Sequence, residues 1–543
     1  MLFRSLTALE GIETLGRLID SAAEFHGDRT AIRTACSSVS YIEFRAMVRR
    51  ACAALTERGF TGVRIALVGE PSLSWFLAFS GIVCSGNTAV LVAAGLGARD
   101  VDAMMKRVGA RAIICAEDEF GESDFARANG DGPEVIGFGS LRDRGDKAAG
   151  GAPALSDPMA AGEPSLPAVL AFTSGTTGSS KIVSLSHSNI CSDASACIRW
   201  VNGLDEGGRT LAVLPTHHLF GVTVGILAPL LGGIEICFGR GPGYLAKDAV
   251  LFRPAVLVAV PILLEGMHRR LWSEAERTGQ VARMRRGLRL GRVLRRARVD
   301  LRRRLFASVL QQFGGELRYI VCGGAPLRNE LIGAFDDLGI TVLQGYGITE
   351  CSPAVACNAV EKNRVGSVGI PVVQPFGQVT VVDGEICVSG RIVMGEYLDD
   401  PAETALSRTE DGWFRTGDLG RIDKDGYLFV EGRSKDLIIL SDGNNVAPQE
   451  IEDVLERLEH IQAVLVDGFD DNGRQGLIAY VFLTTDAASD SERTREKVRD
   501  AIRSANERFP PYKRIQRVEF VDQDFARTAL GKIRRFLYTR PVG

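Results

Sequence analysis

Histidine is scarce, six in 543 residues, and none of the eleven cysteines stands in a Cys-x-x-Cys pair. Clustered zinc ligands and the closely spaced cysteines of a disulfide-stapled secreted domain are therefore both missing. Cysteines scattered from Cys36 to Cys387 read instead as small apolar residues in a reducing compartment. No surplus of charge exists either: 64 Lys and Arg against 67 Asp and Glu leave a net charge of -3, so nucleic acid is not an expected partner. The longest apolar stretch, LFGVTVGILAPLLGGIEICF from Leu219 to Phe238, is interrupted by Pro229, Gly232, Gly233 and Glu235. It reads as a buried helix followed by a core strand, not a bilayer crossing. Met1 to Ile32 carry charges throughout and lack an uninterrupted apolar stretch with a small-residue cleavage site, so a cytoplasmic location is expected. Two catalytic signatures are also missing. No Gly-x-Ser-x-Gly elbow provides a covalent serine, and no Gly-x-x-x-x-Gly-Lys-[Ser/Thr] loop occurs.

What is present begins with ordinary globular composition, 45% hydrophobic and 24% charged. From about residue 15 to 140, helix-like periods (LGRLIDSAAEF, YIEFRAMVRRACAALTERG) alternate with short apolar runs (RIALVG, TAVLVAA, RAIICAE). Such alternation predicts a largely parallel α/β sheet. Residues 143 to 166 are rich in Gly, Ala and Pro without periodicity and read as a surface connection. A second alternation runs from 168 to about 346, followed by FGQVTVVDGEICVSGRIVMGEYL, whose short β-type runs punctuated by Asp-Gly and Ser-Gly predict a small antiparallel or barrel-like subdomain. From Arg433 the texture changes again: helical periodicity over Gln449 to Glu459, strand-like AVLVDGF and GLIAYVFL, and the amphipathic SERTREKVRDAIRSANERF. The expected organisation is thus α/β, with a large domain over residues 1–432 and a small α+β domain over 433–543.

One loop carries the densest chemistry. In AFTSGTTGSSKIVSLSH, residues 171 to 187, an apolar strand runs into Thr173, Ser174, Gly175, Thr176, Thr177 and Gly178, and Lys181 follows. The glycines allow main-chain N–H groups to turn toward an anion, the hydroxyls add donors, and the lysine adds a charge. That is a phosphate-holding composition at the edge where α/β sheets place ligand loops; a plain surface turn uses the same residue types. GGAPL, with Gly324, Ala325 and Pro326, and QGYGITE, with Gly345, Tyr346, Gly347, Thr349 and Glu350, each follow an apolar strand as well. Glu350 is suited to a magnesium ion carried on a triphosphate, and Tyr346 offers a flat face to a base. GWFRTGDLG holds Asp418, a carboxylate able to accept both hydroxyls of a ribose. EGRSKDLIILSDGNNVAPQEIE and RTALGKIRR lie in the last domain.

In this order and at these separations the stretches closely resemble the adenylate-forming superfamily of acyl-CoA synthetases, peptide-synthetase adenylation domains and luciferases. RRRLFASVLQQFGGELRYIVCGGAPL and SDGNNVAPQEIE are similar to long-chain fatty acyl-CoA synthetases. There is no clear room between Tyr346 and Asp418 for the extra segment that fatty acyl-AMP ligases carry. The resemblance implies ATP, magnesium and coenzyme A as the small molecules handled, with a carboxylic acid of the medium- or long-chain fatty type activated to acyl-AMP and passed to the CoA thiol. By it, Thr173 to Lys181 hold the β- and γ-phosphates, Gly324 to Pro326 and Tyr346 border adenine, and Thr349 touches phosphate. Glu350 holds magnesium, Asp418 and Arg433 hold ribose, and Lys532 reaches in from a mobile small domain to the carboxylate and α-phosphate. Lys435 matches the hinge, Gly443 the loop along the thiol channel, and His218 the mouth of the acyl pocket; a satisfied polar residue near the core is the other reading of His218. The family pattern has Pro and Gly beside the lysine, where this chain has Ser180 and Ile182.

Transfer to an acyl carrier protein, or binding without catalysis on the same fold, are the competing functions. A last feature is RMRRGLRLGRVLRRARVDLRRRL, from Arg283 to Leu305. Met284, Leu288, Leu294, Leu301 and Leu305 recur at near-helical spacing among the arginines. The segment reads either as a solvated helix packing its leucines on the domain or as a basic surface for a membrane or an acidic carrier, for which Arg295, Arg296, Arg302 and Arg303 are the sequence-level candidates.

Overall fold

The computed structural model describes residues 9–125, 132–141, 163–173, 181–200, 207–440, 445–471, 474–484, 491–528 and 533–538. Two compact units divide the chain. One holds the residues up to Thr173, Ser180–Val379 and Val388–Phe414; the other includes Thr380–Cys387 and Arg415–Gly543.

The larger unit is built on two sheets. Nine strands form the first, in the order Ile370–Pro371, Ala354–Cys357, Thr341–Gly347, Tyr319–Cys322, Val256–Ala259, Arg209–Ala212, Glu235–Phe238, Thr30–Arg33 and Ser38–Ser40. From Thr341–Gly347 to Thr30–Arg33 the six strands run parallel. Seven strands form the second, in the order Glu396–Tyr397, Ile182–Ser186, Pro167–Phe172, Thr88–Val92, Arg64–Val68, Ala112–Cys115 and Glu134–Gly137, parallel from the third onward. The apolar runs read from the sequence become these inner strands because a parallel strand covered on both faces needs no polar side. Val256–Ala259 and Ala112–Cys115 are buried at every position.

Local signals set the helix ends. In Tyr41–Glu57, Ser40 accepts from the Glu43 N–H while the Glu43 carboxylate accepts from the Ser40 N–H, a reciprocal cap. The 219–238 stretch is wound as a π-helix over Phe220–Leu227, continues as Ala228–Leu231, and then enters the strand Glu235–Phe238. Among the described residues no helix is long and apolar enough to cross a membrane. All eleven cysteines are free, and all but Cys36 are buried; burial pushes the Cys115 thiol up to about 11, as the small-apolar reading of these residues requires. Burial likewise draws the His187 imidazole down to about 4, so the ring stays neutral and its Nδ1 accepts from the Leu15 N–H.

The smaller unit centres on a three-stranded sheet, with Ile461–Asp471 antiparallel and Ile515–Val521 parallel to Arg474–Leu483. Val446, Ile451, Leu455, Val498 and Ile502 join the sheet residues in its core, which draws on the helices Pro448–Leu455 and Ser491–Asn506. The expected helix over Gln449 to Glu459 therefore stops at Leu455. A four-stranded sheet, Gln378–Val382, Glu385–Ser389, Phe414–Ile422 and Leu428–Arg433, lies mostly in this unit. It takes up the short β-runs expected of a barrel-like subdomain, except that Glu396–Tyr397 joins the seven-stranded sheet instead, pairing with Ser184 and Val183. The connection expected at residues 143 to 166 falls largely outside the described residues.

Candidate functional site

In the larger unit, Thr173, Gly324 to Pro326 and Gly345 to Glu350 lie at or just after the C-terminal ends of strands that pair in parallel, where backbone N–H groups are not consumed by the ladder, whereas Lys181 precedes the antiparallel strand Ile182–Ser186. Thr173 follows Pro167–Phe172, and its N–H donates to the Lys181 carbonyl at 2.9 Å, closing the base of the loop. Ser174, Gly175, Thr176, Thr177 and Gly178 lie outside the described residues. Gly324, Ala325 and Pro326 follow Tyr319–Cys322, and Gly324 adopts φ +83°, which a side chain would strain. Gly345, Tyr346 and Gly347 end Thr341–Gly347, and Thr349 and Glu350 open the single turn after it. Gly347 admits no side chain, because a Cβ there would stand 1.9 Å from the Pro353 carbonyl oxygen. His218, half-buried, lies two residues before the π-helix, its ring 4.1 Å from that of His217 and tilted 43° to it.

Two residues that the sequence reading passed over bind this edge together. Tyr397, almost fully buried, donates its hydroxyl to Glu350 Oε1 at 2.8 Å. Its ring lies under the Lys181 ammonium, 4.7 Å from the ring centroid, and that ammonium is also ion-paired with Glu403. Burial, reinforced by the Glu350 charge, holds the Tyr397 phenol far above its ordinary value, so the phenol remains a donor throughout the physiological range. One phenol thus orients a carboxylate through its oxygen and a cation through its face. The Lys181–Glu403 pair is about one-third exposed on each side, so it positions the lysine more than it stabilises the fold. Asp400 caps the turn that carries Glu403, accepting from the Glu403 N–H; Asp-Pro-x-Glu is a legible helix start. Nothing local marks Tyr397, whose placement depends on the register Tyr397↔Val183.

In the smaller unit, Asp418 and Arg433 face each other across the ladder of Phe414–Ile422 and Leu428–Arg433, with Arg433 Nε 2.8 Å from Asp418 Oδ1. Asp418 is 4% exposed, and its N–H donates to the Thr416 hydroxyl at 3.0 Å. The two residues assigned to one ribose are thus a pair in space. Lys435, two residues further, is exposed in the single turn Ser434–Asp436. Gly443 and Lys532 lie outside the described residues. Of the described residues nearby, Ile533 bridges to Arg527, and Arg535 is ion-paired with the buried Glu452.

Comparison with known proteins matches this arrangement to one family along nearly the whole chain. The family model described as AMP-binding enzyme covers residues 19–398, and the model described as AMP-binding enzyme C-terminal domain covers 435–540. The long-chain-fatty-acid–CoA ligase FadD15 of Mycobacterium bovis is 31% identical over 327 residues, covering 56% of this chain and 52% of that protein. The chain spans about half the length of the first curated relatives it matches. FadD13 of Mycobacterium tuberculosis, named for the same ligase activity, is 28% identical over 513 residues, 91% of each chain. Among solved structures, ATP-bound MatB from Rhodopseudomonas palustris superposes with a TM-score of 0.75 at 25% identity, covering 96% of this chain and 98% of that one. With a family model that matches residues 19–398, well over half of its length, the chain belongs to the AMP-binding enzyme family.

Proposed function

We propose that this chain activates a medium- or long-chain fatty acid with ATP to acyl-AMP and transfers the acyl group to the thiol of coenzyme A. The observation that carries the reading is the Glu350–Tyr397–Lys181 arrangement at the end of a parallel strand, which sets a fixed carboxylate beside a fixed cation. The names of the relatives, long-chain-fatty-acid–CoA ligases, supply the substrate class. A carboxylate resists thiols because its carbonyl is electron-rich and oxide leaves poorly; esterification to AMP supplies a better leaving group. Attack of the carboxylate on the α-phosphate needs positioning and charge neutralisation more than a covalent enzyme group. Thr173 to Gly178 and Lys181 take the β- and γ-phosphates, Thr349 a phosphate oxygen, Gly324 to Pro326 with Gly345, Tyr346 and Gly347 the adenine, and Asp418 with Arg433 the ribose. His218 stands at the acyl pocket, and Lys532 spans the reacting carboxylate and the α-phosphate. In the second half-reaction the small domain, taken as 433–543, turns about Lys435 and opens a thiol channel past Gly443.

The residues fit a magnesium ion. Among the described residues no group of three acidic, Cys or His ligands exists, whereas one oriented carboxylate matches an ion that keeps water and substrate phosphates as its other ligands. Glu350 would hold it, and the ion would supply neutralisation of phosphate charge. Tyr397 acts through Glu350 as a positioning residue. Tyr397→Phe is expected to raise the magnesium concentration needed for half-maximal rate by about 10-fold, the lower range for losing such a support, with kcat at saturating magnesium little changed. A uniform loss at every magnesium concentration would assign Tyr397 to packing alone.

Pyrophosphate release from MgATP across a panel of fatty and aryl acids tests the reading, followed by thioester formation with CoA in competition with an acyl carrier protein bearing pantetheine. Release with no acid of the panel would overturn it; preferential loading of the carrier would change the acceptor.

A further inference from the structure

The arginine-rich segment forms a two-faced helix whose outer face matches neither fold stabilisation nor the phosphate chemistry above. Three helices are involved: α1 (Pro261–Arg277), α2 (Val281–Arg296) and α3 (Asn329–Asp337). On its inner side α2 buries Met284 and packs Leu288 on the core. Arg292 and Arg295 are ion-paired with Asp337 and Asp336 at the end of α3. Arg302 pairs with Asp300 and Asp336, and Arg303 donates to the carbonyls of Leu317 and Gly315 at 2.7 and 2.8 Å. Arg295, Arg302 and Arg303 are therefore fold-holding residues, and of the four candidates taken from the sequence only Arg296 stands on the outer face.

That face is unusual. At about 100° per residue, Arg285, Arg296, Arg289, Val293, Arg286, Leu290 and Arg283 follow one another over an arc of about 160°. All seven are exposed, and α2 contains no acidic residue. Leu290 is 47% and Val293 59% exposed, at the middle of the arginines. Beyond the helix Arg298, Val299 and Arg304 are exposed as well, whereas Leu305 lies near Gly291, on the buried side of α2. Among the described residues Arg283, Arg285, Arg289 and Arg296 have no carboxylate partner.

We propose that the outer face of α2 is a docking surface for an anionic lipid bilayer. Guanidinium groups on both flanks take headgroup phosphates in bidentate fashion, and Leu290 and Val293 between them enter the acyl boundary. Because the opposite side of α2 is held by Met284, Leu288 and the Asp336/Asp337 pairs, the helix meets the membrane flat, already folded, with no ordering required on contact. A bilayer suits this face better than an acidic protein partner, since two bulky apolar side chains, Leu290 and Val293, lie exposed amid the charges where a carboxylate-rich partner would offer them nothing. The inference stands independently of the reaction assigned above.

Sedimentation of the full chain with vesicles of pure phosphatidylcholine, and of phosphatidylcholine with one-third phosphatidylglycerol, tests it. Binding is expected only to the anionic vesicles and is expected to weaken steeply as salt rises from low to moderate ionic strength. Each arginine near an anionic surface changes partitioning about five-fold at low salt, so R285Q/R286Q/R289Q/R296Q should weaken binding by roughly 600-fold. Apart from an exposed hydrogen bond from Arg286 Nε to the Ala282 carbonyl one turn back in the same helix, these side chains have no carboxylate or core partner, so the thermal midpoint should barely move. L290Q/V293Q, which keeps every charge, should also weaken binding, with a smaller residual salt-dependent association. Failure of the parent chain to sediment with anionic vesicles, equal binding to both vesicle types, or unchanged binding of both variants overturns the proposal. So does binding of an acidic carrier protein through the same four arginines without any vesicle binding.

Discussion

Lys532→Ala is expected to slow acyl-AMP formation by about 10²–10³, the usual loss for one preorganised group facing developing charge, while thioester formation from supplied acyl-AMP proceeds near the parent rate. During adenylation negative charge concentrates on the α-phosphate oxygens as the carboxylate attacks, and a cation bridging both reactants lowers the barrier to that step. In thiol transfer the attacked centre is the acyl carbonyl, and Lys532 has no assigned part there. Among the described residues near it, Arg527 bridges to Ile533 and Arg535 is ion-paired with Glu452. Pyrophosphate release measures the first half-reaction, and CoA consumption with synthetic acyl-AMP measures the second. Equal losses in both would remove Lys532 from the role proposed for it.

Arg535→Met has the second large effect, on stability. Glu452 is 6% exposed on its side chain; Oε1 accepts from the Val466 N–H at 2.6 Å, and Oε2 pairs with Arg535, which also donates to the Val466 carbonyl at 3.1 Å. Burial already raises the Glu452 carboxyl above its usual range despite the opposing pull of Arg535. Without the guanidinium, a buried carboxylate faces one N–H alone, and removing one member of such a pair typically costs about 3–5 kcal/mol. The sign of the pH dependence follows. With Arg535 gone, burial is less opposed and the folded-state value of Glu452 rises further above the unfolded one, so the group stabilises the fold when protonated at low pH and that contribution is lost as pH rises through the raised folded value. The deficit of Arg535→Met should therefore shrink as pH is lowered from 7 toward about 4.5, and Glu452→Gln on the same background should recover part of it at neutral pH. Denaturant unfolding at two pH values is the measurement; a deficit below about 1 kcal/mol, or one independent of pH, would show that solvent reaches Glu452. Because the same ion pair anchors the chain three residues beyond Lys532, the variant should also slow adenylation.

Much of the fold was readable because the signals were local. Continuous runs such as RIALV and YIVC have no polar face, so they could only become inner strands between helices. Ser40 and Glu43 mark a helix start three residues apart, and Gly27, at φ +57°, ends the first long helix. The 219–238 stretch was legible as buried but not as π-wound: a segment apolar on every side carries no period from which to read its winding. Asp418 and Arg433 were named from separate motifs fifteen residues apart, and ladder register alone made them a pair.

The linear sequence determined which residues form strands, which loops carry glycines and hydroxyls after strands, and where the carboxylates and lysines proposed for an adenylate-forming site fall along the chain. These follow from hydrophobic period and turn chemistry, which act over a few residues. Tertiary structure alone decided that Tyr397 joins Glu350 to Lys181, since the hydrogen-bonded pair is 47 residues apart and the contact depends on the register of Glu396–Tyr397 against Ile182–Ser186. It also decided which arginines between 283 and 304 hold the fold and which face outward, because Asp336 and Asp337 come from a separate helix and compensate only the guanidiniums that packing brings to them. Charge is written residue by residue in a sequence, but its partner is chosen by the packing of elements that lie far apart in the chain.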